Sequence, residues 1–418
     1  MAIMDSEQQV IAGNSSNDFH SLPDHWQLRS LGEIIISSQY GISSSSGGGY
    51  SVPILKMNNL QDGHIDLRDV DSIQLSKAEL QSLILNDGDL LINRTNSIDL
   101  VGKAAIYNLE GEYVFASYLV RFRLGSSVLP AFVNYFLNSE PGQRKLRLLA
   151  TKGVSQANIN PSILKKRLFL PIPPLSEQRA IAAALSDVDA LLTSLDKLIA
   201  KKRDIKQATM QQLLTGRTRL PGFSGEWEMK TMEEIGEKFV NGGTPSTEKF
   251  EYWQGKIPWI TGADVINQKI SDVRRSITPE AVKNSSTNIV ERGNLLIVTR
   301  TGVGKVAIAP FDLAISQDIT GIYIKEEQAS IAYLFHYFNY NSETLKSLNQ
   351  GTSIAGITRE TLLATKVYLP SLPEQRAITA VLSDMDAEIV GLEQKREKIC
   401  ALKQAMMQEL LTGKTRLV

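Results

Sequence analysis

Two segments of the chain carry apolar residues spaced alternately four and three positions apart. The first segment has Ile181, Leu185, Val188, Leu192, Leu195 and Ile199, and the second has Ile378, Leu382, Met385, Ile389 and Leu392. This spacing predicts two long helices that pair through a narrow coiled-coil seam. Gly216 and Gly413 predict the helix ends, while Ser186 and Ser383 predict an internal cap and a break. We expect the aspartates beside these breaks to be first-turn charges, namely Asp187, Asp189, Asp384 and Asp386.

Charged residues interrupt the seam at one place in each segment. Arg396 aligns with Ile199 of the first segment, and Lys202 aligns with Ile399 of the second. A polar residue inside a seam costs stability and fixes the register or the partner. Alternatively, both side chains extend along the helix edge into solvent, as long basic side chains commonly do. The sequence leaves both interpretations open.

The stretches that precede the two helical segments mix short strand-like runs with one longer helical pattern. Runs rich in β-branched residues and bounded by Gly, Asn or Asp predict strands at residues 89–92, 118–123, 294–298 and 319–324. Helical patterns follow at residues 131–137 and 331–338. Each stretch is therefore predicted to be an α+β globular unit with polar loops.

The chain is an internal duplication. Residues 177–220 and 374–417 align without a gap, and 25 of their 44 positions are identical. The preceding stretches repeat more faintly: Trp26 matches Trp227, and Arg94-Thr95 echoes Arg300-Thr301. A period near 200 residues makes each copy domain-sized. The two helices can pair parallel or antiparallel, and we favour antiparallel pairing because it keeps the two globular units from crowding each other.

Charge and composition narrow the possible functions. The chain has 45 basic and 45 acidic residues, so any nucleic-acid surface must be a local patch. A single cysteine, Cys400, excludes disulfides and is expected to be a small buried hydrophobe, and four histidines without metal-ligand spacing argue against a metal site. No 18-residue apolar run and no signal peptide are found, which predicts a cytoplasmic protein.

The search for catalytic motifs finds none that fits. Residues 301–305 resemble a phosphate-binding loop, but Thr299 and Val306 stand where that motif needs glycine and a hydroxyl side chain. The Gly-rich loop and the Asn/Asp-Pro-Pro-aromatic motif of an adenine or cytosine methyltransferase are absent from the sequence. This favours a binding function.

Polar loops at matching places in both units are the candidate binding elements. Their side chains are of the types that contact phosphates and base edges, and the alternative is that they are ordinary solvated loops. The candidates in these loops are Arg94, Thr95, Asn96, Lys103, Lys152, Ser155, Gln156, Arg300, Thr301, Lys305, Thr352 and Ser353.

These features resemble the specificity subunit of type I restriction–modification systems. The resemblance rests on the Glu-Gln-Arg-Ala-Ile start at residues 177–181 and 374–378 and on the Met-Gln-x-Leu-Leu-Thr-Gly-x-x-Arg-Leu ending at 210–220 and 407–417. The second unit also matches at residues 243–246, which adds Thr244 and Ser246 as DNA-binding candidates. In the first unit, residues 44–49 replace that element.

The resemblance implies an α+β fold in which two globular α/β target-recognition domains are separated by two long helices. The helices would form an antiparallel coiled coil with internal pseudo-two-fold symmetry. The expected domains are a flexible tail (1–20), recognition domains (21–172 and 217–370) and helical regions (173–216 and 371–418).

The resemblance also implies a non-catalytic adaptor that reads a split, asymmetric DNA sequence. Two methyltransferase subunits would dock on the helical regions and a motor/nuclease subunit would join them. S-adenosylmethionine, Mg²⁺ and ATP would belong to these partners, with no cofactor in this chain. The expected partner-binding residues are Glu177, Gln178, Arg179, Glu374, Gln375 and Arg376.

Two other functions remain as alternatives. The chain could itself be a self-sufficient enzyme, which a methylation assay with the purified chain would reveal. It could also be a scaffold that binds only proteins, which is compatible with its neutral net charge. Titration with random-sequence DNA at low salt separates this scaffold from a DNA-binding protein.

Overall fold

The computed structural model describes residues 22–44, 47, 49–154, 156–348 and 356–417. Its contacts divide the chain into two compact units. The first contains the described residues up to Asp196 together with those from Lys395 onward, and the second is Lys197–Gln394. Each unit therefore joins one predicted recognition domain to parts of both predicted helical regions.

In the described residues, the first unit contains fourteen strands and five short α-helices before the first long helix. The strands are β1 (Gln27–Ser30), β2 (Ile35–Tyr40), β3 (Tyr50–Leu55), β4 (Leu60–Gln61), β5 (His64–Ile65), β6 (Asp71–Leu75), β7 (Leu90–Asn93), β8 (Thr95–Asn96), β9 (Ala104–Ile106), β10 (Val114–Phe115), β11 (Leu119–Leu124), β12 (Ala150–Lys152), β13 (Ala157–Ile159) and β14 (Phe169–Ile172). The helices are α1 (Leu31–Ile34), α2 (Lys77–Leu83), α3 (Pro130–Asn138), α4 (Glu140–Leu148) and α5 (Pro161–Arg167).

The long helix α6 (Leu175–Leu213) leads into the second unit, and α12 (Leu372–Leu410) follows it. The strands between them are β15 (Glu228–Thr231), β16 (Gly236–Asn241), β17 (Ile257–Ile260), β18 (Arg275–Ile277), β19 (Asn288–Val290), β20 (Leu295–Val298), β21 (Val306–Ile308), β22 (Leu313–Ile315), β23 (Ile319–Ile324) and β24 (Lys366–Leu369). The short helices are α7 (Met232–Ile235), α8 (Pro279–Lys283), α9 (Ile331–Tyr340), α10 (Ser342–Ser347) and α11 (Arg359–Leu363).

The two units share the topology of two of their sheets. A four-stranded antiparallel sheet has the order β2-β11-β7-β9 in the first unit and β16-β23-β20-β21 in the second. A two-stranded sheet, β1-β14 or β15-β24, precedes the corresponding long helix. The predicted strands and the predicted helices at 131–137 and 331–338 are confirmed within a few residues. The duplication seen in the sequence is therefore a duplication of fold.

The predicted break in the long helices is wrong. Helices α6 and α12 each run for 39 residues, which corresponds to about 58 Å, through Ser186 and Ser383 without interruption. Leu185 and Leu382, next to the predicted caps, are fully buried, so tertiary packing keeps these turns helical. No helix in the described part of the chain combines the length and apolarity that a membrane crossing requires.

The long helices pair antiparallel inside each unit. In the first unit Lys403 contacts Asp189 while Arg396 contacts Asp196, so α12 runs against α6. The core of this unit contains Ile181 and Leu185 of α6 as well as Met407, Leu410 and Leu411 near the end of α12. The core of the second unit likewise contains Leu213 and Leu214 together with Ile378 and Leu382. Each globular part is thus packed on the start of one helix and the end of the other.

The basic residues at the seam point outward, so the second interpretation of the seam is confirmed. Arg396 donates to Asp196 at 2.5 Å, and Lys202 pairs with Glu388 at 2.6 Å. Both pairs are substantially exposed and contribute little to stability. The expectation of a buried Cys400 is also wrong, because this side chain is half-buried.

Candidate nucleic-acid interface

The candidate arginines lie where a strand of the four-stranded sheet ends. In the first unit, the Arg94 amide donates to the Tyr118 carbonyl and its own carbonyl accepts from Ile159. In the second unit, the Thr299 amide donates to the Asp318 carbonyl, and the Thr299 carbonyl accepts from the Ile357 amide. Arg94 therefore corresponds to Thr299, and the sequence match of Arg94-Thr95 to Arg300-Thr301 is wrong by one residue.

A glycine lies beside this strand end in both units. A Cβ on Gly41 would approach the carbonyl oxygens of Phe115 and Ala116 to 2.2 and 2.3 Å, and a Cβ on Gly242 would approach those of Ile315 and Ser316 to 2.2 Å. Only glycine allows the two backbone segments to come this close. Both units therefore build the same backbone frame around different side chains.

In the second unit, this frame encloses a cleft of about 580 Å³. Among its lining side chains that the structure describes, two are arginines and none is a carboxylate. The polar lining comes from Asn241, Thr299, Arg300, Gln317, Thr320, Thr358 and Arg359. In a chain with no net charge, this concentration of cationic and hydrogen-bonding groups favours an anionic or acceptor-rich ligand.

The cleft holds some of its side chains in place and leaves others free. The Thr244 hydroxyl donates to Gln317 Oε1 at 2.6 Å, and Arg359 Nη1 donates to the Phe239 carbonyl at 3.4 Å. Arg300 is exposed, and no described residue makes a side-chain hydrogen bond or ion pair with it. The sequence analysis missed Arg359, because it lies far along the chain from Arg300 and only the fold brings both to one cleft.

The corresponding place in the first unit has different side chains. Tyr40, which pairs with Val120, stands where Asn241 pairs with Thr320 in the second unit. The Arg94 guanidinium lies over the Tyr40 ring at 5.2 Å, and its Nη1 donates to Asn158 Oδ1 at 3.1 Å. The first unit thus offers an aromatic ring and a held arginine where the second has an open polar cleft.

The other DNA-binding candidates differ in their contacts and in their exposure to solvent. Lys103 and Lys305 donate to Gln61 Oε1 and to the Gly262 carbonyl, each at 2.9 Å, and Thr301 donates to Asp318 at 3.2 Å. Asn96 donates to the sulfur of Met57, and the exposed candidates include Lys152, Gln156, Thr244, Ser246 and Thr301. Ser155, Thr352 and Ser353 lie outside the described residues. All of these residues stay predictions as DNA contacts.

Glu177 and Gln178 hold the first turn of α6 inside the first unit. Glu177 is 4% exposed and accepts from Trp26 Nε1 at 3.0 Å and from Arg416 at 2.8 and 3.0 Å. Burial opposes its ionised form, but the bonds from Arg416 and Trp26 outweigh this and lower its pKa. Gln178, fully buried, accepts from the Leu129 amide at 2.7 Å.

Glu374 and Gln375 repeat this arrangement at the start of α12. Glu374 is 1% exposed and accepts two 2.5 Å bonds from Arg219, while Gln375 accepts from the Ser330 amide at 2.8 Å. The partner-binding assignment of the four Glu and Gln residues stays an untested prediction, and their buried, already bonded side-chain oxygens favour a structural role instead. Of the six candidates, only Arg179 and Arg376 are exposed.

A third pair of polar contacts joins the long helices to α3 and α9. Asp189 accepts from Lys403 at 2.5 Å and from the Tyr135 hydroxyl at 2.9 Å. Burial opposes its ionisation, but the nearby His64 imidazole, 3.8 Å away, and the bonds from Lys403 and Tyr135 lower its pKa to about 2. The aspartate is thus a paired charge rather than the predicted first-turn charge.

In the second unit, His336 takes the place of Tyr135. Lys206 donates to Asp386 at 2.5 Å, and His336, 4% exposed, lies on α9 close to this pair. Burial and the positive charge of Lys206 lower the pKa of His336 to about 4, against the attraction of Asp386. His336 is therefore neutral at pH 7, and protonation would place an unfavourable charge in the core.

We expect the second unit to lose stability as the pH falls from 6.5 to 4. In this window the unfolded chain protonates His336 while the folded chain does not, so the free energy of unfolding falls by roughly 3 kcal/mol. His336→Tyr, which introduces the first unit's side chain, should remove this dependence. Urea unfolding of both proteins at pH 7 and pH 5 measures it, and equal pH dependence in the variant would contradict the assignment.

The sequence comparisons match both halves of the chain to one family. A family model described as the type I restriction modification DNA specificity domain matches residues 23–207 and 224–400. A Methanocaldococcus jannaschii protein, provisionally named as the type I restriction enzyme MjaX specificity subunit, is 27% identical over 411 residues, 94% of this chain and 95% of its own length. The EcoR124I/EcoR124II specificity subunit of Escherichia coli is 29% identical over 269 residues, 62% of this chain and 64% of the relative.

Solved structures show the same fold. The type I restriction–modification S subunit from M. genitalium has a TM-score of 0.58 at 16% identity, covering 94% of this chain and 98% of that one. The HsdS subunit from Thermoanaerobacter tengcongensis has a TM-score of 0.50 at 19% identity, with the same coverage. At these identities, the likeness concerns the fold alone.

Proposed function

The chain belongs to the type I restriction modification DNA specificity family, and on this basis we propose that it is the DNA-reading subunit of a type I restriction–modification complex. Each unit reads one half of a bipartite, asymmetric sequence in double-stranded DNA. The paired long helices set the distance between the half-sites and bind two methyltransferase subunits, and a motor/nuclease subunit joins for restriction.

The observation that carries this proposal is one backbone frame with two sets of side chains. The frame is defined by matching hydrogen bonds and by Gly41 and Gly242, whereas Tyr40 and Arg94 are replaced by Asn241 and Thr299. Side chains that contact base edges specify sequence, while a shared backbone keeps the docking geometry the same. Two such units would read two different short sequences.

The chemistry of the reaction belongs to the partners in this proposal. The two units offer hydrogen-bonding groups and arginines, and the perturbed groups Asp189 on α6 and His336 on α9 are accounted for by packing and ion pairing. S-adenosylmethionine for adenine N6-methylation, together with Mg²⁺ and ATP, would be bound by the other subunits. The exposed Arg179 and Arg376 are the proposed contacts to the two methyltransferases.

The test is binding to duplex DNA by the full chain, alone and with its methyltransferase. Fluorescence anisotropy with random-sequence duplex at low salt should show salt-dependent binding, and selection from a randomised library should return two unlike short motifs at a fixed distance. A chain that does not bind DNA but binds the methyltransferase would instead be a protein scaffold. Methylation by the purified chain alone would identify it as an enzyme.

Arg300→Ala is expected to weaken binding to the selected duplex about tenfold more than Lys238→Ala. Both variants remove one positive charge from an exposed residue of the second unit, so general electrostatics affects them alike. Arg300 lines the cleft and pairs with no side chain in the described ranges, whereas Lys238 lies over the Tyr323 ring at 5.2 Å. Gel shifts at one salt concentration measure the difference, and equal losses would remove the cleft from the proposed interface.

A further inference from the structure

We infer that the first unit recognises a guanine through Arg94, with Tyr40 and Asn158 as the residues that position its guanidinium. The inference rests on the proposed DNA-binding function and names the base that one residue reads. Three contacts from separate parts of the unit hold the Arg94 side chain. Its Nε donates to the Ser117 carbonyl at 3.2 Å, its Nη1 donates to Asn158 Oδ1 at 3.1 Å, and its Cζ lies over the Tyr40 ring, 5.2 Å from the ring centroid.

These contacts leave the outer edge of the guanidinium available. An arginine has five N–H donors, and Ser117 and Asn158 take two of them. The remaining donors are on Nη1 and Nη2, and in the described part of the chain no carboxylate pairs with Arg94. Two neighbouring donors match the O6 and N7 acceptors of guanine in the major groove. A guanidinium already held in one orientation forms this pair with little further loss of entropy.

Asn158 cannot supply the alternative readout of adenine while this arrangement persists. An asparagine reads adenine by accepting from N6 and donating to N7, which requires a free Oδ1. Asn158 Oδ1 already accepts from Arg94 Nη1 and from the Thr95 hydroxyl at 3.2 Å. Arg94 can only donate, so the oxygen of Asn158 must face it. What Asn158 can offer DNA is its Nδ2 donor, which again suits an acceptor-rich base edge.

The local backbone can bring these groups to a groove. Strands β12, β13 and β8 form a small antiparallel sheet in which Asn158 pairs with Thr151 on one side and with Thr95 on the other. Asn158 and Thr151 are exposed, while the alternate residues Ala157 and Ile159 are buried in the core. A β-ribbon of this kind fits the width of the major groove.

The arrangement is confined to the first unit. Asn241 takes the place of Tyr40, and Thr299 takes the place of Arg94, so the second unit has neither the ring nor the held guanidinium. Removing the guanine contact should therefore alter one position of one half-site. This confinement separates base recognition from a general loss of DNA affinity.

The experiment uses the full chain with its methyltransferase and duplexes selected from a randomised library. Each guanine of the half-sites is replaced in turn by 7-deazaguanine, which keeps Watson–Crick pairing but lacks the N7 acceptor. At one position in one half-site, the replacement should lower wild-type affinity about tenfold. Arg94→Lys should bind the natural duplex about tenfold more weakly and show no further loss with 7-deazaguanine at that position.

Tyr40 variants test the positioning role without changing charge. Tyr40 is half exposed, so its replacement leaves the core intact. Tyr40→Phe keeps the ring and should retain the discrimination at that guanine, whereas Tyr40→Leu should lose most of it. If Arg94→Lys lowers affinity equally for all sequences, Arg94 is a phosphate contact and the inference is overturned while DNA binding stands. A wild-type chain that selects no sequence would overturn the proposed function itself.

Discussion

Replacing residues 222–370 by the matching segment of another family member is expected to change one half of the recognised sequence and leave the other half intact. All described side chains that line the cleft of the second unit lie in this segment, whereas Tyr40, Arg94 and Asn158 of the first unit lie outside it. Each mismatched base pair typically costs about 1–3 kcal/mol, so affinity for the original duplex should fall by roughly a thousandfold or more for three changed positions.

The design of this chimera follows from the core of the second unit. Leu213 and Leu214 at the end of α6, together with Ile378 and Leu382 of α12, pack against the replaced segment. The graft must therefore supply apolar residues at the positions of Met232 and Val367. The chimera is expressed with its methyltransferase, and the methylated motif is obtained by sequencing host DNA. Replacement of residues 21–172 is the matched control and should change the opposite half. A change in both halves from either replacement would rule out independent reading.

Glu374→Ala is expected to destabilise the second unit by about 1.5–3 kcal/mol, the typical worth of hydrogen bonds to a charged group. The substitution removes a carboxylate that is 1% exposed and its two 2.5 Å bonds from Arg219, while Arg219 keeps its bond to the Gly225 carbonyl. Arg376→Ala, two residues away on the exposed side of the same helix, should change stability by no more than about 0.5 kcal/mol. Urea unfolding measures both effects.

Glu177→Ala tests the same idea in the first unit, where it should weaken the attachment of Trp26 and Arg416. Hydrogen exchange distinguishes the units: each variant should lose protection in its own unit first. A Glu374→Ala protein with normal unfolding and defective methyltransferase binding would instead support the prediction that this glutamate contacts the partner. If Glu374→Ala loses both stability and methyltransferase binding while Arg376→Ala loses only the binding, then Glu374 has a structural role and Arg376 contacts the partner.

The long helices show which structural features a local sequence pattern can predict and which it cannot. The four-three spacing correctly predicts where α6 and α12 lie, because most of the seam residues are buried and the others are half-buried. The serine-aspartate motifs suggested a break because the same residues cap helices when nothing else packs against them. Here Asp189 pairs with Lys403 and Tyr135, residues from distant parts of the chain. Local sequence does not contain that information.

In the candidate interface, too, the sequence predicts some features and tertiary contacts determine the others. Polar residue types and their repetition led to Arg94 and Arg300, but the one-residue shift between the units is visible only in the hydrogen bonds of the strand ends. Arg359 and Tyr40 escaped notice because each joins the interface only after strands far apart in the chain pair. The glutamates of the repeated motif were assigned to a partner because their burial depends on Arg219 and Arg416, which the antiparallel helices bring to them.

The sequence by itself determined the duplication, the family resemblance, the helical seam and the types of side chain available for binding DNA, because identity, periodicity and residue chemistry are properties of the linear chain. Tertiary structure decided which arginine is held and which is free, which carboxylates are buried, and which residues share a cleft. These depend on distances between residues that lie far apart in the chain, and such distances exist only after the strands have paired and the helices have packed.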